Sequence, residues 1–152
     1  MKKSRIAREA AISDSFQKSA RSDIKSAGIL LKNKEYSTSL YHSQQAIEKI
    51  LKAMLALKGR FIFKHEVIAE FCKVFEKTVS LDFISLLKNK GFSIEQEGGS
   101  YRYPDFSGIE IFDPTEEFTK EDAKEGYRTA KEIVSKAMKE LKKLKTLQQK
   151  RA

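Results

Sequence analysis

Through most of this chain the apolar residues recur three and four apart, the spacing that lines one face of an α-helix. From about 12 to 32 the stripe is Ile12, Phe16, Ala20, Ala27 and Leu30/Leu31, and Asn33–Lys34 reads as its stop. A second helix is predicted over about 36 to 57, with Tyr36, Leu40, Ile47, Leu51 and Met54/Leu55 on one face and Gly59 as its terminator. Two shorter apolar segments follow. One spans about 65 to 76 (Val67, Ile68, Phe71, Val74, Phe75) and the other about 80 to 89 (Leu81, Ile84, Leu86, Leu87). The last helix, about 119 to 146, carries the most regular seam: Ala123, Tyr127, Ala130, Val134, Ala137, Leu141 and Leu144. Thr119, with Asp122 three residues on, supplies a hydroxyl for its start.

Between Gly91 and Phe118 the helical period vanishes. A connection of about 28 residues is uncommon in a compact domain, and such loops are usually functional or disordered. Six aromatics (Phe92, Tyr101, Tyr103, Phe106, Phe112, Phe118) speak against disorder, so an ordered loop packed on the helices is expected. Residues 108 to 112 read as briefly extended. The pattern therefore predicts an all-α bundle, a single domain over 1–152, with a basic tail from about 146.

Composition narrows the picture. Hydrophobic residues make up 40% of the 152 and charged residues 34%, the balance of a soluble globular domain. Two prolines and seven glycines leave little room for a turn-rich β fold. No apolar run approaches the length of a membrane span and none follows the basic N-terminus, so a cytoplasmic protein without membrane contact is expected. Cys72 is alone, outside any metal-ligand spacing, and reads as a buried thiol. The net charge of +9 is unevenly placed. Residues 1–35 hold nine Lys/Arg against four acids, residues 131–152 hold eight against two, and the middle is slightly acidic. If the terminal helices lie side by side, they form a surface that attracts phosphate; otherwise these charges are a solvated face.

Candidate chemistry gathers on the second helix. Tyr41, Gln45, Glu48 and Lys52 share a stripe beside the apolar one, and Gln44 sits on the apolar stripe itself, where its amide needs a partner. Glu48 to Lys52 is the favourable order for an ion pair one turn apart. On the first helix Asp23 interrupts the stripe and needs a partner, for which Arg102 is the natural candidate. Arg102 sits in "GGSYRYPDF", residues 98–106, where two glycines permit a tight turn and Pro104 stiffens it. Arg102 is expected within reach of the surface formed by Asp23 and Glu48, with Tyr103 packed on helix two or the last helix. His42 and His65 are the only imidazoles, and Arg60 stands five residues before His65. No glycine-rich phosphate loop, metal-ligand spacing or cofactor motif is present, so no metal or cofactor is expected.

Four segments together, in this order, resemble the HEPN domain family: residues 20–59, "KHEVIAEF" (64–71), "YRYPD" (101–105) and "KEDAKEGYRTAKEIV" (120–134). The family's helix-one Asp falls on Asp23. Its Gln-Ala-x-Glu-Lys core falls on Gln45, Ala46, Glu48 and Lys49, with Lys52 beyond. The His that opens its third helix falls on His65, and its Arg-Tyr-Pro loop on Arg102, Tyr103 and Pro104, followed by Asp105. The resemblance implies an up-and-down bundle of about five helices, often a homodimer, frequently paired with a minimal nucleotidyltransferase in a toxin–antitoxin-like module. It implies a nucleotide- or RNA-binding surface built from Asp23, Tyr41, Gln45, Glu48, Lys52, Arg102, Tyr103 and Asp105. The alternative it implies is a metal-independent endoribonuclease toxin, in which His65 and Arg102 are catalytic. Family ribonucleases place a His beyond the loop Arg after four to six intervening residues; here those positions are Ser107, Gly108 and Ile109.

Overall fold

The computed structural model of the chain describes residues 2–151, with side chains from 4 to 150. Three long helices carry it: α1 (Lys2–Lys32), α2 (Tyr36–Ala56) and α7 (Lys120–Arg151), each packed on the other two. Between α2 and α7 come α3 (Ile68–Phe75), then α4 (Leu81–Leu86), a π-helical turn (Leu87–Gly91) and α5 (Phe92–Gln96), which run on as one rod. A single turn, α6 (Pro114–Glu117), leads into α7. The described residues form an all-α bundle without strands, and their one β-type pairing is an isolated bridge between Asp105 and Phe112.

The core lies where these helices meet. Ile50, Leu51, Met54 and Leu55 of α2 are fully buried against Phe71 and Phe75 of α3, Phe83 of α4, and Ile133 and Leu141 of α7. Phe71 stacks on Phe75 at 4.7 Å and meets Phe83 edge-on at 5.6 Å. Cys72 is a buried free thiol, and burial raises its pKa above the ordinary value. Glycines set how closely the long helices approach. A Cβ on Gly126 of α7 would collide with Leu40 of α2, and one on Gly28 of α1 would lie 2.7 Å from the Tyr127 hydroxyl.

Both predicted helix stops are Schellman turns. Gly59 takes φ 69°, with Gly59 N–H donating to Ala56 O and Arg60 N–H to Leu55 O. The same pattern ends α1 at Lys34 (φ 63°), where Lys34 N–H donates to Leu31 O and Glu35 N–H to Leu30 O. The turn points α2 back along α1. At its own start α7 is capped as expected: Asp122 N–H donates to the Thr119 hydroxyl, and Thr119 N–H donates back to Asp122.

The sequence expectations fall short in three places. α1 begins about ten residues earlier than the apolar stripe and α7 continues to Arg151, because Ala-, Lys-, Arg- and Glu-rich segments hold helix without a core face. α3 begins at Ile68, so His65 lies in the bend before it. Helix continues through Gly91 to Gln96, and the loop is shorter, from Glu97 to Asp113. Gly91 is retained there by packing: a Cβ on it would come within 3.0 Å of Ile68 Cδ1.

Candidate functional site

Because α2 runs between α1 and α7 with α3 and α5 against it, most of its faces are buried, polar stripe included. Gln44, Gln45, Glu48 and Lys52 are all buried, and each is partnered. Glu48 is the hub. One carboxylate oxygen accepts from His65 Nδ1–H at 3.1 Å and from Gln44 Nε2 at 3.4 Å. The other accepts from Lys52 Nζ at 3.2 Å. Gln45 Nε2 donates to Gln44 Oε1 at 2.9 Å, so the amides form a relay that ends on Glu48.

A second carboxylate–imidazole pair stands beside the first. Buried Asp23 of α1 accepts from His42 Nδ1–H at 2.8 Å and from Lys49 Nζ at 2.7 Å. His42 and Lys49 lie two helical turns apart on α2, so they bracket the acid from above and below. In both pairs the acceptor is a carboxylate, which fixes the proton on Nδ1 and leaves Nε2 as the working nitrogen. The imidazole of His65 is 68% exposed, while that of His42 is partly covered.

Arg102 belongs to neither network. Its guanidinium lies 5.0 Å over the Tyr41 ring and 5.2 Å over its neighbour Tyr103, and it makes no ion pair among the described residues. Arg102 as the partner of Asp23 is therefore corrected. Asp23 faces the seam between α1 and α2, where Lys49 and His42 already satisfy it, whereas the loop reaches α2 on the side of Tyr41 and Gln44. The packing of Tyr103 on a helix is also corrected, since Tyr103 is 63% exposed, with the Arg102 guanidinium over its ring. The loop is anchored by other groups. Buried Tyr101 donates to Glu97 at 3.2 Å and meets Phe118 edge-on at 5.0 Å. Gly98 lies against Gln44, whose side chain would be 3.4 Å from an added Cβ. Neither Gly98 nor Gly99 has positive φ, so close packing against Gln44 accounts for Gly98 better than a left-handed turn does.

Asp105 stands apart. Its carboxylate accepts from Ser107 N–H and Oγ–H at 2.9 and 2.7 Å, which hold its pKa below the ordinary value. The fold thus joins Gln45, Glu48, Lys52 and His65 in one network, holds Asp23 in a second with His42 and Lys49, and sets Arg102 over Tyr41 and Tyr103. Asp105 is turned into its own loop. Arg60, five residues before His65 in the sequence, approaches Glu70 at 4.0 Å. Sequence reasoning missed His42 and Lys49 as partners of Asp23. It also missed Glu95 of α5, which accepts from Val67 N–H and Ile68 N–H and so caps α3. Burial pushes Glu95 above the ordinary carboxylate value, opposed by those two hydrogen bonds. The spacing of His42 and Lys49 on α2 was the available signal for the first miss; none existed for the second.

Comparison with known proteins agrees with this architecture. The family model described as "HEPN domain" matches residues 14–141. A relative from Methanocaldococcus jannaschii named "Putative toxin MJ1304" is 37% identical over 123 residues, 78% of this chain and 81% of its own. The crystal structure of TT1696 from Thermus thermophilus superposes with a TM-score of 0.69 at 19% identity, covering 84% of this chain and 96% of that one. ST0689, described as an archaeal HEPN homologue, superposes at 0.62 with the same identity and coverage. At 19% identity these two structures speak for the fold alone. A single bundle, a match over most of its length and a relative at 37% identity together place the chain in the HEPN domain family.

Proposed function

We propose that this HEPN chain is the toxin-side component of a two-protein module and that its α2 face binds a phosphate-bearing ligand, a nucleotide or an RNA. The observation that carries the reading is Arg102. It is an exposed guanidinium held 5.0 Å over the Tyr41 ring, outside every ion pair among the described residues, and the other neighbour of Tyr41 is the His42 imidazole, 5.3 Å away and oriented by Asp23. A cation without a protein counter-charge, on an aromatic support, suits a phosphate with a base or ribose against it. The relative named as a toxin supports the wider assignment. The partners that go with it are a second copy of the chain and a minimal nucleotidyltransferase, in the cytoplasm. Among the described residues no helix is long and apolar enough to cross a membrane.

The test is a calorimetric titration of the chain with ATP and with a short single-stranded RNA. Binding of either should weaken at least tenfold in Arg102→Ala, with only partial recovery in Arg102→Lys, because a lysine neither stacks on Tyr41 nor forks to a phosphate. Equal binding by all three proteins would overturn the assignment.

A second reading, a metal-independent endoribonuclease, is favoured by one feature: the exposed His65 imidazole with Nδ1 held by buried Glu48. In this reading its Nε2 takes the 2′-hydroxyl proton. The 2′-oxygen then bonds to phosphorus, the bond from phosphorus to the 5′-oxygen breaks, and that oxygen takes a proton from solvent while Arg102 faces the phosphorane charge and His65 later returns its proton to water. RNA cleavage in EDTA that is lost in both His65→Ala and Arg102→Ala would select this reading. Cleavage unchanged in both would remove it.

A further inference from the structure

Two surface features of opposite chemistry remain, one of which adjoins the polar face at Lys52. The first is a hairpin. Asp105 and Phe112 exchange both backbone hydrogen bonds, at 2.9 and 2.8 Å, and close a neck. Beyond the neck Phe106, Ile109 and Ile111 stand in solvent, Phe106 at 81% exposure. From Tyr103 to Thr119 the chain has no Lys or Arg and five acids: Asp105, Glu110, Asp113, Glu116 and Glu117. The exposed side chains of the tip are apolar, and the chain around them from Tyr103 to Thr119 carries acids alone.

The second is a groove of about 840 Å³ between the first half of α1 and the segment that follows α2. Ile12, Phe16 and Ile62 line it with Phe61 and Phe63, and Phe63 is 93% exposed. Arg8 and Arg60 also line it, and Lys58 lines an adjoining cavity that shares Arg8 and Phe61. Arg8 and Lys58 make no ion pair among the described residues, and Arg60 has only the long contact to Glu70. The groove is apolar with a basic rim.

We propose that the 106–111 hairpin tip of one copy seats in the groove between α1 and residues 61–63 of a second copy, and that the exchange is mutual. Exposed apolar side chains clustered in this way mark interaction sites. Charge selects the pairing. Tip against tip opposes acid to acid, groove against groove opposes cation to cation, and tip against groove satisfies both. The backbone bridge at the neck lowers the ordering cost of docking, since the tip is already shaped. Within one chain the groove is lined by α1, Lys52 and residues 59–63, none of them from the hairpin. The proposal rests on the two-copy reading above for its stoichiometry; the groove shares only Lys52 with the phosphate-ligand surface.

The test is the mass in solution, by light scattering behind gel filtration, of the full chain and two variants. A tip variant carries Phe106→Ser with Ile109→Ser; a groove variant carries Phe63→Ser with Arg60→Ser. All four side chains are exposed, so helical circular dichroism should be unchanged. The wild type should elute as two copies, each variant alone as one, and an equal mixture of the variants should associate again. In the mixture the intact tip of one protein meets the intact groove of the other. A wild type of single-copy mass overturns both the pairing and the two-copy reading. A two-copy mass that survives in both variants overturns only the pairing, as does a mixture that stays single. Loss of RNA binding in the groove variant, with its mass unchanged, would assign the groove to nucleic acid and overturn the proposal as well.

Discussion

Glu48 and Lys52 show how much of a residue's role is set by its surroundings. Their spacing on α2 was legible as an ion pair, but an exposed pair of this kind is worth only a few tenths of a kcal/mol. The structure buries both, with His65 and Gln44 on the same carboxylate. Burial changes the sign of the argument. Desolvation makes such a pair a modest net contributor, yet removing one member strands the other. Lys52→Met should therefore cost about 3 kcal/mol in urea denaturation, the low end for a broken buried pair because His65 remains. A loss below about 1 kcal/mol would show that Glu48 is satisfied without it. Asp23 illustrates the opposite limit of legibility. That it needed a partner followed from its place in an apolar stripe. Which partner it found depended on the register of α1 against α2, which no pattern within either helix encodes. Arg102 was open to be misassigned for the same reason: its actual neighbour, Tyr41, is an aromatic ring rather than an acid.

At the scale of elements, helices with an apolar face and a chemical stop were readable, and those lacking either were not. Gly59 and the Asn33–Lys34 stop did what their chemistry implies. The N-terminal turns of α1 and the continuation of the 80–89 segment through Gly91 into α5 escaped notice, because the first lacks a core-facing stripe and the second crosses a glycine. That glycine is held in helix by the close approach of Ile68. The turn at Lys34 carries a testable cost. A lysine at φ 63° pays a steric penalty that glycine avoids, of about 1–2 kcal/mol, partly offset by the unfolded-state freedom of glycine. Lys34→Gly should raise stability by about 0.5–1 kcal/mol and the melting temperature by about 1–4 °C. A fall in melting temperature would mean that the lysine side chain contributes more there than its backbone costs.

Over the whole molecule, the two basic ends lie side by side, the condition on which a shared basic surface depended. α1 and α7 pack side by side, and Lys145 reaches Asp14 at 3.0 Å. Lys18, Arg21 and Lys142 share that flank. Such a surface attracts any polyanion weakly and without sequence preference, and its contribution should fall steeply with salt as counterion release loses its driving force. The α2 face differs in kind, since the Arg102 guanidinium lies over an aromatic ring and the imidazoles are oriented by carboxylates. The two surfaces can be told apart in one experiment, an NMR titration of the labelled chain with a short single-stranded RNA at about 0.15 M salt, where surface charges are largely screened. The account predicts that the largest shifts fall on the Arg102 guanidinium, the Tyr41 ring and the His42 and His65 imidazoles. Shifts confined to the lysines and arginines of α1 and α7, vanishing with added salt, would contradict it.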